Sequence, residues 1–347
     1  MNTGTLQPVD RSAEARSDGA PPAAKRGLTD RPWWPWAKRL FTLIFFSAVA
    51  FLLYRYGRNI DWEDVLTSVK EIPRPALMTA IALAAASHLL YSCFDLLGRH
   101  YTGHGLRTPI VMLVNFISYA FNLTLGSMVG GVAFRYRLYS RLGLDNGVIA
   151  RVATLSMLTN WLGYMLLGGL LFLFHPMALP PSWKMGNHGL QWIGALLVAI
   201  SVGYLAGCLR AGGKRWKIRG HEITLPHFRV ALLQLAMSCL NWSLMGGIVY
   251  MLLQQQVAYS DVLTVLLVAA IVGVVAHVPA GLGVFEFVFV ALLSHQISEG
   301  HLLAALLGYR GIYYIGPALV AAAIYLGFEV RAKRGTLARA AALKAAG

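Results

Sequence analysis

Acidic side chains are scarce in this chain: 15 Asp and Glu stand against 30 Lys and Arg in 347 residues. The acids are not grouped as a catalytic pair would be, and no HExxH, GxSxG or Cys/His cluster is present, so the sequence offers no hydrolytic or metal-assisted chemistry and no cofactor. Cysteine is equally sparse. Cys93, Cys208 and Cys239 each lie in or at the end of an apolar run, which excludes a disulfide framework and leaves buried small side chains. No glycine-rich loop is followed by Lys-Ser/Thr, so nucleotide hydrolysis is unsupported.

Apolar residues, by contrast, make up 57% of the chain and charged residues only 13%. Repeated apolar stretches are long enough to cross about 30 Å of hydrocarbon, which defines an all-α, polytopic integral membrane protein. The net charge of +15 would suggest nucleic acid in a soluble protein. Here the basic residues sit in loops and tails, the pattern of anchoring beside anionic headgroups, and no nucleic-acid partner is expected.

Residues 1–32 are rich in Ala, Pro, Arg, Asp and Ser, have no apolar period and read as a disordered cytoplasmic tail. Trp33, Trp34, Trp36, Lys38 and Arg39 form an interfacial girdle before a first span from Leu40 to about Tyr54. Ser47 to Ala50 faintly imitates a signal-peptidase site, but the apolar run continues past it, so an uncleaved span is expected. Trp62, Val65, Leu66, Val69 and Ile72 share one helical face and predict a short surface helix. Further apolar stretches cover about 76–97, 109–125, 148–174, 190–209, 230–253, 262–278, 284–293 and 302–328. The membrane domain is thus 33–330, followed by a basic cytoplasmic tail at 331–347.

Charge bias sets the expected topology. If the stretch from Pro109 crossed completely, the basic segments with Arg135, Arg137, Arg141 and Arg151, and with Arg210, Lys214, Arg215, Lys217 and Arg219, would be external. Treating 109–144 and 262–294 as re-entrant helical hairpins places these segments and both termini in the cytoplasm. The result is about six full spans plus two hairpins, eight membrane segments in all. The order span, span, hairpin, span then occurs in 40–174 and again, inverted, in 190–328. Inverted repeats with opposed broken helices characterise alternating-access transporters.

The expected hairpin tips are the glycine-rich breaks LGSMVGG, with Gly126, Gly130 and Gly131, and HVPAGLG, with Pro279, Gly281 and Gly283. Each is followed within about one helical turn by an ionisable residue, Arg135 or Glu286. Arg135 is a candidate ligand for a lipid phosphate at a half-helix N-terminus; the alternative is a structural pair with Glu286, and the two roles could alternate. Glu286 could also carry a proton. Arg310, inside the last span, needs Glu286, a lipid phosphate or hairpin-tip carbonyls as partner, and Tyr314 beside it joins the candidate site. A kink is expected at Pro317. Arg137 is placed both among the candidate substrate contacts and, with Arg141, as a snorkelling anchor. Asn115, Tyr119 and Asn122 share a face that either lines the cavity or bonds neighbouring helices. Asp95, Asn160 and Asn241 are assigned interhelical bonding, and His277 a bond to a carbonyl. The sequon at Asn122 has no meaning at membrane depth.

The stretches SYAFNLTLGSMVGGVAFRYRLYSRLGL, IRGHEITLP, HVPAGLGVFEFVFVALL and YRGIYYIGPAL, with P-x-G-x-G-x-x-E followed by R-x-x-Y-Y-x-x-P, together resemble the bacterial lysylphosphatidylglycerol synthase transmembrane-region family over about 36–330, in its YbhN-like inner-membrane branch. The resemblance implies the flippase half of enzymes that aminoacylate phosphatidylglycerol, and it points to Arg135, Glu286, Arg310 and Pro317. Ser127 stands where many members carry proline. The chain ends soon after its last span, so the transferase domain and its lipid-synthesising activity are not carried over.

The function expected is therefore translocation of an anionic or zwitterionic phospholipid headgroup between inner-membrane leaflets, without enzymatic chemistry. Two competing readings are a non-transporting scaffold or regulator of envelope lipid metabolism, and a proton-coupled carrier of a small solute.

Overall fold

The computed structural model describes residues 62–175, 177, 187–218, 221–276, 278 and 281–345. Seven helices among them are long and apolar enough to cross a membrane, and the apolar helix Val284–Leu293 is shorter. The expected N-terminal tail, the aromatic girdle and the first span lie outside the described residues, as do His277 and Pro279.

Helix α1 (Trp62–Lys70) leads into α2 (Arg74–Ser92) and α3 (Phe94–Thr102). The sequence predicts one continuous span over 76–97, but the helix is interrupted at Cys93. Ser92 Oγ donates to the His88 carbonyl at 2.7 Å and Cys93 Sγ to the Leu89 carbonyl. Successive side chains bonding back to the i−4 carbonyl compete with the backbone ladder and bend a helix.

Helix α4 (Thr108–Leu125) stops at Gly126, whose φ of +85° is strained for any residue with a Cβ. A π-helical segment (Ser127–Ala133) follows and then α5 (Phe134–Arg141), which runs back along α4. The reversal is tight: a Cβ on Gly130 would clash with the Phe121 carbonyl, and one on Gly131 would lie 2.8 Å from Asn122 Oδ1. Phe134 packs against Phe121, ring centroids 4.4 Å apart. At the other end, Leu106 and Ile110 share one apolar cluster with Tyr139 and Leu144, so both ends of this segment lie together.

Helices α6 (Asn146–Phe174) and α7 (Asn187–Ala211) precede a two-stranded antiparallel ribbon, β1 (Arg215–Ile218) and β2 (His221–Thr224), in which Trp216 pairs with Ile223. Helix α8 (Phe228–Leu252) packs against α2 and α6. Helix α9 (Tyr259–Ala276) then leads through the second glycine-rich break, where Gly281 and Gly283 take φ of 58° and 76°, into α10 (Val284–Leu293). This segment also reverses. Gln296, just past α10, donates to Asp261 near the start of α9 at 3.5 Å. The chain ends in α11 (Glu299–Tyr309), a π-helical segment (Arg310–Ile315) and α12 (Gly316–Ala345). The irregular turn falls immediately before Pro317, whose ring and missing N–H disrupt the bonding of the preceding turn.

Trp242 and Met245 on α8, Tyr164 on α6, Leu266 and Leu267 on α9, Phe285 and Phe289 on α10, and Tyr309 belong to one large core. The second break leads into α10 within this core, while the arms of the first pack in separate clusters, Val111 with Tyr139 and Ile117 and Ala120 with Ala321.

Candidate functional site

The second break is built around Glu286 and Arg310. Glu286 lies at the third position of α10 and accepts the Gly283 N–H at 2.9 Å, so its carboxylate caps the first turn of the helix. Its two oxygens face the guanidinium of Arg310. Nε bonds Oε1, Nη2 bonds Oε2 at 3.1 Å, and Nη2 also donates to the Gly281 carbonyl at 3.1 Å. The pair is mostly shielded, with 11% and 13% of the side chains accessible. The guanidinium also lies 5.2 Å from the Tyr314 ring centroid and 5.9 Å from that of Phe285, within cation–π range. Arg310 thus receives two of the three expected partner types at once, the carboxylate and a tip carbonyl.

The first break is anchored differently. Arg135 lies 3.2 Å from Asp95 on α3, and the side chains are 3% and 0% accessible. Its Nη2 donates to Asn115 Oδ1 on α4 and to Ser156 Oγ on α6. Tyr139 donates to Asp95 Oδ2 at 2.9 Å, while Asn115 uses its amide N–H on the Tyr91 carbonyl at 2.7 Å. The alternative that pairs Arg135 with Glu286 is therefore corrected, Arg135 being matched by Asp95, while Glu286 is the partner that Arg310 was expected to need. The physical reason is the direction of α5, which carries Arg135 back along α4 to α3 and α6, whereas α10 turns Glu286 towards the last span.

Between the breaks lies a cavity of about 640 Å³. Gly126, Ser127 and Asn122 contribute from the first break, Gly281 and Phe285 from the second, and Tyr309 and Tyr314 from the last span. Asn160, Trp161 and Trp242 close it on the α6 and α8 side. The hydroxyl of Tyr309 is buried there without a hydrogen-bond partner. Among the sequence-selected residues, then, Asn122, Tyr314, Gly126 and Gly281 line one space. Gly130, Gly131, Gly283, Arg135, Arg137, Glu286 and Arg310 are not among its described lining residues; Arg310 adjoins it through the Gly281 carbonyl and the Tyr314 ring, and Glu286 through Arg310.

Arg137 is 53% accessible and contacts Glu329 on α12 at 3.4 Å, and Arg141 meets the same carboxylate at 2.6 Å. This is the geometry of the anchoring role. Asn115 and Asn122 divide between the two roles left open for them, Asn115 serving Arg135 and Asn122 facing the cavity. Asp95, assigned interhelical bonding from the sequence, makes it to Arg135 and Tyr139 of α5. Its signal was present, since an acid inside an apolar span is costly unless it has a partner.

Residues 40–321 match the family described as lysylphosphatidylglycerol synthase TM region. The chain belongs to this family. A member of it, the inner membrane protein YbhN of Escherichia coli (strain K12), is 46% identical over 304 residues, covering 87% of this chain and 96% of the relative. A Synechocystis protein, slr0712, is 33% identical over 284 residues, or 80% of this chain and 86% of its own length. The phosphatidylglycerol lysyltransferase of Staphylococcus haemolyticus is 25% identical over 298 residues; the match takes in 82% of this chain but only 33% of that enzyme. With this family membership and seven apolar helices, the protein is a multi-pass protein of the bacterial inner membrane. The matched region takes in both ion pairs, both breaks and the π-helical turn before Pro317.

Proposed function

We propose that this family member translocates a phospholipid headgroup between the inner-membrane leaflets, with no enzymatic step. The observation that carries the proposal is the convergence of two helix breaks on one cavity that mixes Asn and Tyr side chains with aromatic and aliphatic walls. In this reading 109–144 and 262–294 are re-entrant hairpins entering from opposite faces, related as parts of inverted repeats, and both termini are cytoplasmic. Such an arrangement brings irregular backbone to membrane depth only where it lines a cavity.

The acyl chains stay in the bilayer while the headgroup passes between the breaks. Arg310 is the anion-binding group, and Glu286 and the Gly281 carbonyl hold its guanidinium in the empty protein. A lipid phosphate accepts the same forked donors as the carboxylate and so competes for them. Arg135, already matched by Asp95, Asn115 and Ser156, fixes the first hairpin against α3 and α6.

Leaflet exchange of a fluorescent phospholipid in proteoliposomes tests the proposal. Wild-type protein should accelerate exchange over empty liposomes, and Arg310→Ala should abolish the acceleration while the protein still elutes as a folded peak. Absence of exchange by wild-type protein would favour a membrane scaffold, for which the closed state of both ion pairs is the supporting observation. Exchange unaltered in Arg310→Ala would remove that residue from the mechanism.

A further inference from the structure

Asn122 on α4, Ser127 at the first break, Asn160 on α6 and Tyr314 at the π-helical turn line the central cavity. Among the described residues, these side chains make no hydrogen bond. They are at most partly buried and, unlike the Tyr309 hydroxyl, are not sealed off by packing, so they stay open to a ligand in the cavity. Other amides of the bundle are committed. Asn115 bonds the Tyr91 carbonyl and Arg135, and Asn241 accepts from Ser87 at 2.7 Å.

No Asp, Glu, Lys, Arg or His is among the described residues that line this cavity. An amide offers both N–H donors and a carbonyl acceptor, and a hydroxyl does the same through one oxygen. A phosphate oxygen only accepts and an ammonium only donates, so either one placed against this wall leaves part of it unmatched and buries a charge without a counterion. Ring faces return less through cation–π contact than the burial of an ammonium costs. Glu286 does not supply the missing counterion, since it is engaged by Arg310 and by the Gly283 N–H. Uncharged hydroxyls, each donor and acceptor at once, match both halves of the amides, while Trp161 and Trp242 offer apolar surface to the carbons between them.

We infer that the cavity selects a phospholipid whose headgroup ends in an uncharged polyol, such as glycerol, inositol or a sugar, and discriminates against amine-bearing headgroups. The polyol bonds the amides of Asn122 and Asn160. Its phosphate lies at the rim, where Arg310 adjoins the cavity through the Gly281 carbonyl and the Tyr314 ring. The choice of a lipid and the contact of its phosphate rest on the proposed translocation; recognition of the polyol by two amides is a property of binding alone.

Native mass spectrometry of the full chain tests this, with equimolar phosphatidylglycerol and phosphatidylpropanol of matched acyl chains. The two lipids carry the same charge and the same headgroup carbons, but only the first has hydroxyls. Phosphatidylglycerol should occupy the protein about three- to tenfold more, the range expected for one net hydrogen bond, and phosphatidylinositol should exceed phosphatidylethanolamine. Asn122→Leu and Asn160→Leu, which remove no bond of the fold, should each reduce the preference, and the double variant should abolish it. Equal occupancy by phosphatidylglycerol and phosphatidylpropanol in wild-type protein, or greater occupancy by phosphatidylethanolamine, overturns the polyol site, as does a preference that survives in the double variant. If the double variant does not fold, the single variants decide in the same way. Displacement of phosphatidylglycerol by water-soluble glycerophosphoglycerol at matched concentration would retain polyol recognition but overturn the lipid as its source; no displacement supports the lipid. Selective binding without leaflet exchange counts against translocation alone, and exchange without selective binding against the polyol site alone.

Discussion

Arg135, on the returning arm of the first reversal, is held 3.2 Å from Asp95 on α3, in a pocket where neither side chain has more than 3% of its surface exposed. Glu286, on the returning arm of the second, is held by Arg310 of the last span. The polarity is exchanged: one reversal supplies the cation and the other the anion.

Removing one partner of a buried ion pair leaves an uncompensated charge and costs about 3–5 kcal/mol, whereas replacing both with apolar groups costs far less. Asp95→Leu should therefore lower the detergent melting temperature strongly, and Asp95→Leu with Arg135→Leu should recover much of the loss. Additive losses in the double variant would show that the two residues are not coupled.

At Arg310 the contact is forked and reaches a backbone carbonyl as well. Lysine keeps the charge but cannot span Glu286 and Gly281 in the same plane. Arg310→Lys should retain folded protein yet lower leaflet exchange by about tenfold, on the assumption that a forked contact is worth about 1.4 kcal/mol. Rates in proteoliposomes reconstituted at matched protein density measure this.

Gly130 tests the tightness of the first turn. An alanine Cβ would clash with the Phe121 carbonyl, a backbone atom that cannot swing aside. Gly130→Ala should cut the monodisperse fraction in size-exclusion chromatography, while Gly147→Ala, where a Cβ meets open space, should leave it unchanged.

The surface pairs of Arg137 and Arg141 with Glu329 are about half-exposed on the arginine side. Such pairs contribute about 0–1 kcal/mol. Glu329→Gln should shift the melting temperature little and leave exchange intact. A large loss of exchange would return Arg137 to the transport path.

Both breaks were legible because glycine and a following charge have no other common reason to recur inside apolar runs. The partner choice of Arg310 was legible from chemistry, since a guanidinium in a span must find a carboxylate or carbonyls. That of Arg135 was not. Its acid comes from another helix, and nothing local to residue 135 encodes the direction in which α5 returns. Asn115 and Asn122 share a helical face but lie about 10 Å apart along the axis at 1.5 Å per residue, so they serve different sites. The bend at Cys93 was hidden as well. Ser92 and Cys93 suit a helix interior by composition and reveal their effect only through the carbonyls they contact.

The claim on which the account turns is that the two reversals enter the membrane from opposite faces and meet at one cavity. Impermeant maleimide labelling of single cysteines at Gly105, Leu144, Gln256 and Gln296, introduced into protein with Cys93, Cys208 and Cys239 replaced by alanine, measures this in sealed vesicles of known orientation. Positions 105 and 144 should label from the cytoplasmic face, and 256 and 296 should both label from the opposite one. Labelling of 105 and 144 from opposite faces, or of 256 and 296 from opposite faces, would contradict it.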